Sequence, residues 1–145
     1  MAIPLVPRHQ APRIRLAPGA VIPPVALIRF GLGDGPALVD AVAGSASGAG
    51  AVVEVFGAGH AARRNADALK RLAARMPVVF ASRTGAGELY TTTAAYPGSE
   101  RDLIDGGLIP AGALDGLKAR VLVALLLPDG AGRDRIAAAL AQTAH

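Results

Sequence analysis

Two short segments contain side chains that could bind a small ligand or take part in catalysis. The first is Gly-Ala-Gly-His at residues 57–60, which follows an apolar run and precedes a helical pattern. Extended to Ala62, it fits the loose dinucleotide-binding pattern GxGxxA, and Arg83 at the end of the next run could face a 2′-phosphate. That pattern belongs to the first strand of a larger fold, whereas here it follows the second. Glycines that allow a close strand-to-helix crossing explain the same residues, so a nucleotide site is the less favoured interpretation.

His60 is the only histidine away from the termini, since His9 and His145 lie near the two chain ends. Close to a helix N-terminus we expect a neutral, hydrogen-bonding imidazole, because the helix dipole disfavours a cation there. The sequence has no HxH or HExxH spacing and no cysteine, and a metal site needs several such ligands. We therefore predict no metal and no cofactor, with an ordinary polar loop residue as the alternative for His60.

The second segment contains three consecutive threonines, at residues 91–93. A hydroxyl nucleophile needs a base within hydrogen-bond reach, and the two lysines, Lys70 and Lys118, lie on predicted helices elsewhere. We therefore expect solvated loop threonines and no catalytic residue. Glu100 follows in this segment, and on its own it is expected to pair with Arg101 or to belong to a cap formed by Ser99.

Short apolar runs alternate with helical patterns from residue 25 onward. The runs at 25–30, 51–56 and 78–82 lack polar alternation, which indicates strands buried on both faces, and a shorter run follows at 108–111. Successive strand-helix-strand units imply a parallel sheet with right-handed crossovers. We predict an α/β fold: a three-layer α-β-α domain of about four parallel strands, Rossmann- or flavodoxin-like. Residues 31–34, 57–60 and 82–85 should share the sheet edge where ligands bind.

Helices are predicted at residues 36–43 and 61–76, and a long polar loop at residues 84–102. Two more helices follow, one with Asp115 as its N-cap and one at residues 134–141. The first of these two has a wider apolar arc than a single core face requires. Core burial explains this arc best, and contact with a second layer or partner subunit is the alternative.

Composition and charge limit the classes of function. The chain has 145 residues, 52% of them hydrophobic and 18% charged, which is typical of one folded domain. Its net charge of +4 comes from residues 1–33, which have four arginines and no acid. With only 3% aromatic residues in addition, nucleic-acid binding is not expected. No apolar stretch approaches the ~20 residues of a membrane span. We expect a cytoplasmic protein with a proline-rich arm or interdomain linker at residues 1–24 and one domain at residues 25–145.

Four sequence blocks carry a family resemblance. They are Phe-Gly-Ala-Gly-His at 56–60, Pro-Val-Val-Phe-Ala-Ser-Arg-Thr-Gly at 77–85, Gly-Leu-Ile-Pro-Ala-Gly at 107–112, and Leu-Asp-Gly-Leu-Lys-Ala-Arg-Val-Leu at 114–122. The blocks occur in the same order as in a known family: the segment from residue 25 to the end resembles the C-terminal domain of bacterial-type asparaginases and glutaminase-asparaginases.

The resemblance implies hydrolysis of L-asparagine, or a related small amide, to L-aspartate and ammonia. In that family the nucleophile belongs to an N-terminal domain whose motifs are absent here, and the C-terminal domain closes the pocket of a neighbouring subunit. The resemblance thus implies a homodimer or tetramer, and a chain that is inactive alone. Glu100 aligns with the acidic residue that reaches toward the substrate's α-amino group, and His60 with a position occupied by asparagine in well-known members. A stand-alone module that binds an amino acid or nucleotide, or a dimerisation domain, remains the alternative.

Overall fold

The computed structural model describes residues 12–85 and 87–143. Within them, four parallel strands form one sheet in the order β1-β2-β3-β4. They are β1 (Val25–Arg29), β2 (Gly50–Val55), β3 (Val78–Ser82) and β4 (Ile109–Pro110). Every residue of β2 and β3 is buried, as expected of central strands covered on both faces.

In the described part of the chain, five α-helices cover the sheet: α1 (Ala37–Gly44), α2 (Arg63–Ala73), α3 (Glu100–Asp105), α4 (Gly116–Leu126) and α5 (Arg133–Ala141). Each strand pairs with the next one in the sequence. Right-handed crossovers that all advance in one direction place α1, α2 and α3 on the same face of the sheet. The helices that follow β4 cover the opposite face: α4 packs on β1, β2 and β3, and α5 packs on β4 and α4. The result is the predicted three-layer α/β domain.

The hydrophobic core lies on both sides of the sheet. Val53 and Phe80 on the central strands, Leu69 and Leu72 on α2, and Val123 on α4 are all fully buried. Burial of a side chain of this size stabilises the fold by about 1.5–3 kcal/mol. The carboxyl ends of β1, β2 and β3 are thereby held side by side at one edge.

Most of the predicted elements are confirmed, including the strand at residues 108–111, observed as β4, and Asp115 as the N-cap of α4. The two helices predicted after residues 108–111 are confirmed as α4 and α5, but the prediction of an uninterrupted loop at residues 84–102 is wrong. The loop ends at Ser99, the N-cap of α3, and this helix begins at Glu100. This six-residue helix has only Glu100 and Leu103 buried, which is too few for a periodic apolar pattern.

Two further expectations concern the arm and α4. Residues 12–24 contain a turn and no helix or strand, as the prolines predict, and residues 1–11 lie outside the described residues.

The apolar arc of α4 is divided: Leu122 and Val123 are buried, whereas Leu117 and Val121 are exposed. Core burial therefore explains only part of that arc.

Candidate functional site

The loop that follows β2 folds back on itself and fixes the position of His60. The Gly59 amide donates to the Phe56 carbonyl at 2.8 Å, and the Phe56 amide donates to the His60 carbonyl at 2.9 Å. Gly59 has φ +99°, in the left-handed region where glycine is favoured. A Cβ at this residue would lie 3.3 Å from the Cβ of Glu100. The glycine therefore permits close approach of Glu100, which explains the GxGxxA-like sequence without a nucleotide.

A tight turn at residues 96–99 lies directly beside this loop. The Ser99 amide donates to the Tyr96 carbonyl at 2.9 Å, and Gly98 has φ +90°, as in a type II turn with the sequence Pro-Gly at its centre. The Ala61 amide donates to the Gly98 carbonyl at 2.8 Å. A Cβ on Gly98 would lie only 2.5 Å from the Ala61 carbonyl oxygen. The turn is thus clamped against the residue that follows His60.

The start of α3 is fixed by side chains. Ser99 is its N-cap and accepts a hydrogen bond from the Asp102 amide. The Asp102 carboxylate accepts from the Gly98 amide at 2.8 Å and from the Lys70 ammonium at 2.6 Å. Burial would raise the pKa of Asp102, but the Gly98 and Lys70 contacts outweigh it and hold the pKa below its ordinary value. The Asp102 contacts tie the 96–99 turn to α2.

Glu100 is the centre of the site, and its side chain has no exposed surface. One carboxylate oxygen, Oε1, accepts three hydrogen bonds of 2.7 Å, from the Thr93 amide, the Thr93 hydroxyl and the Ala94 amide. The other oxygen, Oε2, lies 2.8 Å from His60 Nε2. We call Glu100, His60, Thr93, Ala94 and Tyr96 the Glu100 cluster.

The hydrogen bonds keep Glu100 ionised although it is buried. Desolvation alone would raise its pKa, because a charged carboxylate is costly away from water. The Thr93 hydroxyl and the surrounding amides outweigh that cost and lower the pKa to about 2. A buried negative charge is therefore a permanent feature of the cluster at neutral pH.

His60 and Tyr96 connect this charge to the surface. The Tyr96 hydroxyl lies 2.7 Å from His60 Nδ1, and the two rings meet edge to face with centroids 5.4 Å apart. The His60 side chain is 26% exposed, and Tyr96 is 51% exposed. The cluster thus runs from a buried carboxylate to a phenol at the surface.

The two residues singled out from the sequence, His60 and Glu100, are in direct contact. No pattern in the sequence indicated this contact. Of the two alternatives for Glu100, the cap formed by Ser99 is confirmed, and the pairing with Arg101 is wrong because the carboxylate is bonded to Thr93, Ala94 and His60. The expectation of solvated threonines is confirmed, since residues 91–93 are all exposed. What it did not include is that Thr93 also donates to the Glu100 carboxylate.

Tyr96 was missed by the sequence analysis. Its only signal was the sequence Tyr-Pro-Gly-Ser, which predicts a turn beside Glu100.

Arg83 was considered for contact with a 2′-phosphate. Its guanidinium donates to the Phe30 carbonyl at 3.2 Å and lies 4.5 Å from the centre of the Phe56 ring. These contacts within the chain account for its position.

In the described ranges 12–85 and 87–143, no three His, Asp or Glu side chains are arranged to hold a metal ion. His9 and His145 lie outside those ranges. No helix in the described part of the chain has both the length and the apolar character needed to cross a membrane.

The sequence profile of the glutaminase/asparaginase C-terminal domain family matches residues 24–140. The chain belongs to that family. Both blocks that form the Glu100 cluster, the loop after β2 and the segment leading into α3, fall within the matched range. No protein with a curated description matches the chain.

Three solved structures similar to this glutaminase/asparaginase C-terminal domain are described as L-asparaginases. The thermostable L-asparaginase from Thermococcus kodakarensis superposes with a TM-score of 0.69 at 24% identity over 80% of this chain. A probable cytoplasmic L-asparaginase from Campylobacter jejuni gives 0.68 at 29% over 83%, and L-asparaginase I from Vibrio cholerae O1 biovar eltor str. N16961 gives 0.66 at 18% over 80%. This chain spans 35% of the length of each.

Proposed function

We propose that this chain is the C-terminal domain of an L-asparaginase, which hydrolyses L-asparagine or a related small amide to the acid and ammonia. The observation that carries the proposal is the family match over residues 24–140. It is supported by the similarity to L-asparaginase structures of which the chain spans 35%. The other two-thirds of such an enzyme would then consist of polypeptide outside this domain.

In this proposal the domain provides one wall of a pocket whose nucleophile belongs to an N-terminal domain. The Glu100 cluster does not activate a threonine nucleophile. The Thr93 hydroxyl donates to the Glu100 carboxylate, whose pKa of about 2 makes it a weak base, and the His60 imidazole is bonded to Glu100 and Tyr96. Lys70 is paired with Asp102 and Lys118 with Asp115, so neither ammonium group faces the threonines. The chain alone is therefore proposed to be inactive, and to act when it meets the N-terminal domain in a homodimer or tetramer.

The Glu100 cluster is proposed as the substrate-binding part of this wall. Glu100 supplies the negative charge that complements the α-ammonium group of an amino-acid substrate, a pairing that charge-assisted hydrogen bonds favour. His60 is the exposed neighbour of that carboxylate and forms the second binding residue. No metal or cofactor is required for this role. We also place the protein in the cytoplasm, as the description of the Campylobacter relative does for that protein, without nucleic acid or membrane as a partner.

Ammonia release tests the proposal. The chain by itself should release no ammonia from L-asparagine above a buffer blank. The two-domain protein, in which a catalytic N-terminal domain encoded in phase upstream precedes these residues, should release it. Turnover by the chain alone that is lost in Thr91→Ala or Thr92→Ala would contradict the division of labour. An upstream sequence without Thr-Gly-Gly-Thr-like and Thr-Asp motifs would contradict the enzyme assignment itself.

A dimerisation domain is the second candidate, and the exposed part of α4 favours it. Leu117 and Val121 lie one turn apart on this helix and are exposed, and apolar surface of this kind is more common at interfaces than on monomers. Light scattering after size exclusion would test it. A monomer at high protein concentration would argue against this candidate, and a dimer that Val121→Glu dissociates would support it.

A further inference from the structure

The outer side of α4 carries a row of apolar side chains with a groove on each side of it. Leu117, Val121 and Leu125 are four residues apart, so they follow one another along one face of the helix. A groove of about 420 Å³ runs beside this row and is also lined by Pro12 of the arm. A second groove of about 400 Å³ shares Val121 and Leu125 with the first and is also lined by residues 22–24 of the arm. We call these residues of α4 and of the arm the α4–arm face.

Much of the α4–arm face is exposed and apolar. Leu117 is 64% exposed, Val121 54% and Ile22 51%. Apolar surface that extends over two neighbouring grooves is more common where proteins bind one another than on a monomer. Since α4 packs on the side of the sheet opposite to α2 and α3, this face is separate from the Glu100 cluster.

The border of this face is basic. Residues 12–24 of the arm contain two arginines and no acidic residue, and the first of them, Arg13, follows Pro12 and is exposed. Arg120 lines the second groove, and its Nε donates to the Val25 carbonyl at 2.7 Å. In the described part of the chain, neither Arg13 nor Arg120 takes part in a salt bridge. A complementary surface is therefore apolar at its centre and acidic at its border.

This basic border argues against a second copy of the chain as the occupant. In a two-fold symmetric contact the same surface of both copies meets. Arg13 and Arg120 of both copies would then share one interface, and like charges brought together at an interface oppose binding. A different domain with a surface of opposite charge fits the face better.

The arm also restricts where a preceding domain can lie. Pro12, which lines the first groove, is preceded by residues 1–11. A fully extended segment of that length spans at most about 40 Å. A domain joined to residue 1 is therefore held within about this distance of the face, and the short connection raises its effective concentration there.

We propose that the α4–arm face is the docking surface for the N-terminal domain of the same polypeptide, which meets it with an apolar patch bordered by acidic side chains. The presence of that domain rests on the proposed function. The domain described here then contacts two N-terminal domains, its own through the α4–arm face and that of a neighbouring subunit through the Glu100 cluster.

The lack of cysteine in the chain allows a direct test of what covers this face. Val121→Cys and Leu38→Cys each add one thiol, the second on α1 at a residue that is 56% exposed. With 5,5′-dithiobis(2-nitrobenzoate), both thiols should react at similar rates in the 145-residue chain. In the two-domain protein the thiol at position 121 should react at least about tenfold more slowly, because buried thiols are inert, and the thiol at position 38 should be unchanged. The wild-type two-domain protein gives the background from upstream cysteines.

The same reaction tests the charge of the partner surface. Added to Val121→Cys in the two-domain protein, Arg13→Gln should raise the rate about two- to fivefold, the range expected for loss of an exposed ion pair. The increase should disappear in about 1 M salt, where charges are screened beyond roughly 3 Å. Arg75→Gln, at an exposed residue beyond the end of α2, is the matched control and should have no effect. An Arg13→Gln rate equal to that of the control would overturn the acidic border.

The outcomes separate this proposal from the asparaginase assignment. A thiol at position 121 that reacts equally fast in the chain alone and in a two-domain protein that hydrolyses L-asparagine overturns the docking surface, while the assignment stands. Protection in a two-domain protein that releases no ammonia overturns the assignment, while the docking surface stands. Protection that also occurs in the 145-residue chain at high concentration, and is lost on dilution, identifies a second copy as the occupant and overturns the proposal.

Discussion

Replacement of Glu100 by glutamine should remove a large, acid-sensitive part of the stability of the protein. The carboxylate is fully buried and accepts hydrogen bonds from Thr93, Ala94 and His60. Glutamine has nearly the same shape and resembles the protonated carboxyl group. The variant therefore measures the contribution of the charge with little change in packing.

The magnitude follows from the pKa of Glu100, which is lowered from 4.5 to about 2. One pH unit corresponds to 1.36 kcal/mol, so this difference is worth about 3 kcal/mol of folding free energy. Because the pKa is lower in the folded state, this stability is complete above about pH 5 and is lost as the pH falls toward about 2. At neutral pH, Glu100→Gln should lower Tm by roughly 10 °C, at the roughly 2–4 °C per kcal/mol typical of about this chain length.

Urea unfolding followed by circular dichroism would measure the effect. The free energy of unfolding of the wild type and of Glu100→Gln should differ by about 3 kcal/mol at about pH 7 and converge only as the pH falls to about 2. Asp67→Asn removes an equal charge from an exposed residue of α2 and should change the free energy by less than about 0.5 kcal/mol. A Glu100→Gln loss that is the same at both pH values would mean that packing, and not charge, had been lost, and the reasoning would be refuted.

Three further variants probe the contact that ties the 96–99 turn to α2 and the start of α4. Asp102→Asn should cost about 1–2 kcal/mol and raise KM in the two-domain protein, because the 96–99 turn is no longer tied to α2; thermal melts and kinetics measure the two effects. Asp115→Ala should cost about 1 kcal/mol by loss of the α4 cap, and Asp115→Ser should recover most of it, as seen in urea midpoints. Gly116→Ala should cost about 1–3 kcal/mol, since its Cβ would lie 2.5 Å from Glu54 Cγ.

Matched controls accompany these variants. Gly44, the last residue of α1, has no atom within 4 Å of a built Cβ, so Gly44→Ala should leave the free energy of unfolding the same or slightly higher. If Gly116→Ala were equally harmless, the packing of Glu54 against the start of α4 would be looser than described. A Lys70→Met variant that behaves like the wild type would remove the reason for assigning Asp102 a positioning role.

The sequence predicted the sheet well because its strands are continuous apolar runs. The run at residues 78–82 is buried throughout, and a helix there would need more residues. The cap of α4 was equally clear, since Asp115 is followed by a run of good helix formers. By contrast, α3 was missed because six residues with a single buried leucine carry no helical period.

The candidate site was only partly predictable. His60 and Glu100 were both identified, but 40 residues separate them in the sequence and nothing in the pattern indicated their contact. Family resemblance named each of them separately. The roles of Thr93 and Tyr96 depend on where the 96–99 turn meets Ala61, which is a tertiary contact that local sequence does not encode.

The uninterrupted strand order of the sheet also constrains where a ligand can be held. In α/β proteins whose strand order reverses, neighbouring loops diverge to opposite faces and open a crevice between them. Here all three connections advance in the same direction, so the loops above the described strands lean one way and leave no gap of that kind. The carboxyl-end edge of such a sheet is open, and a ligand bound there needs a second surface, from outside these strands, to enclose it.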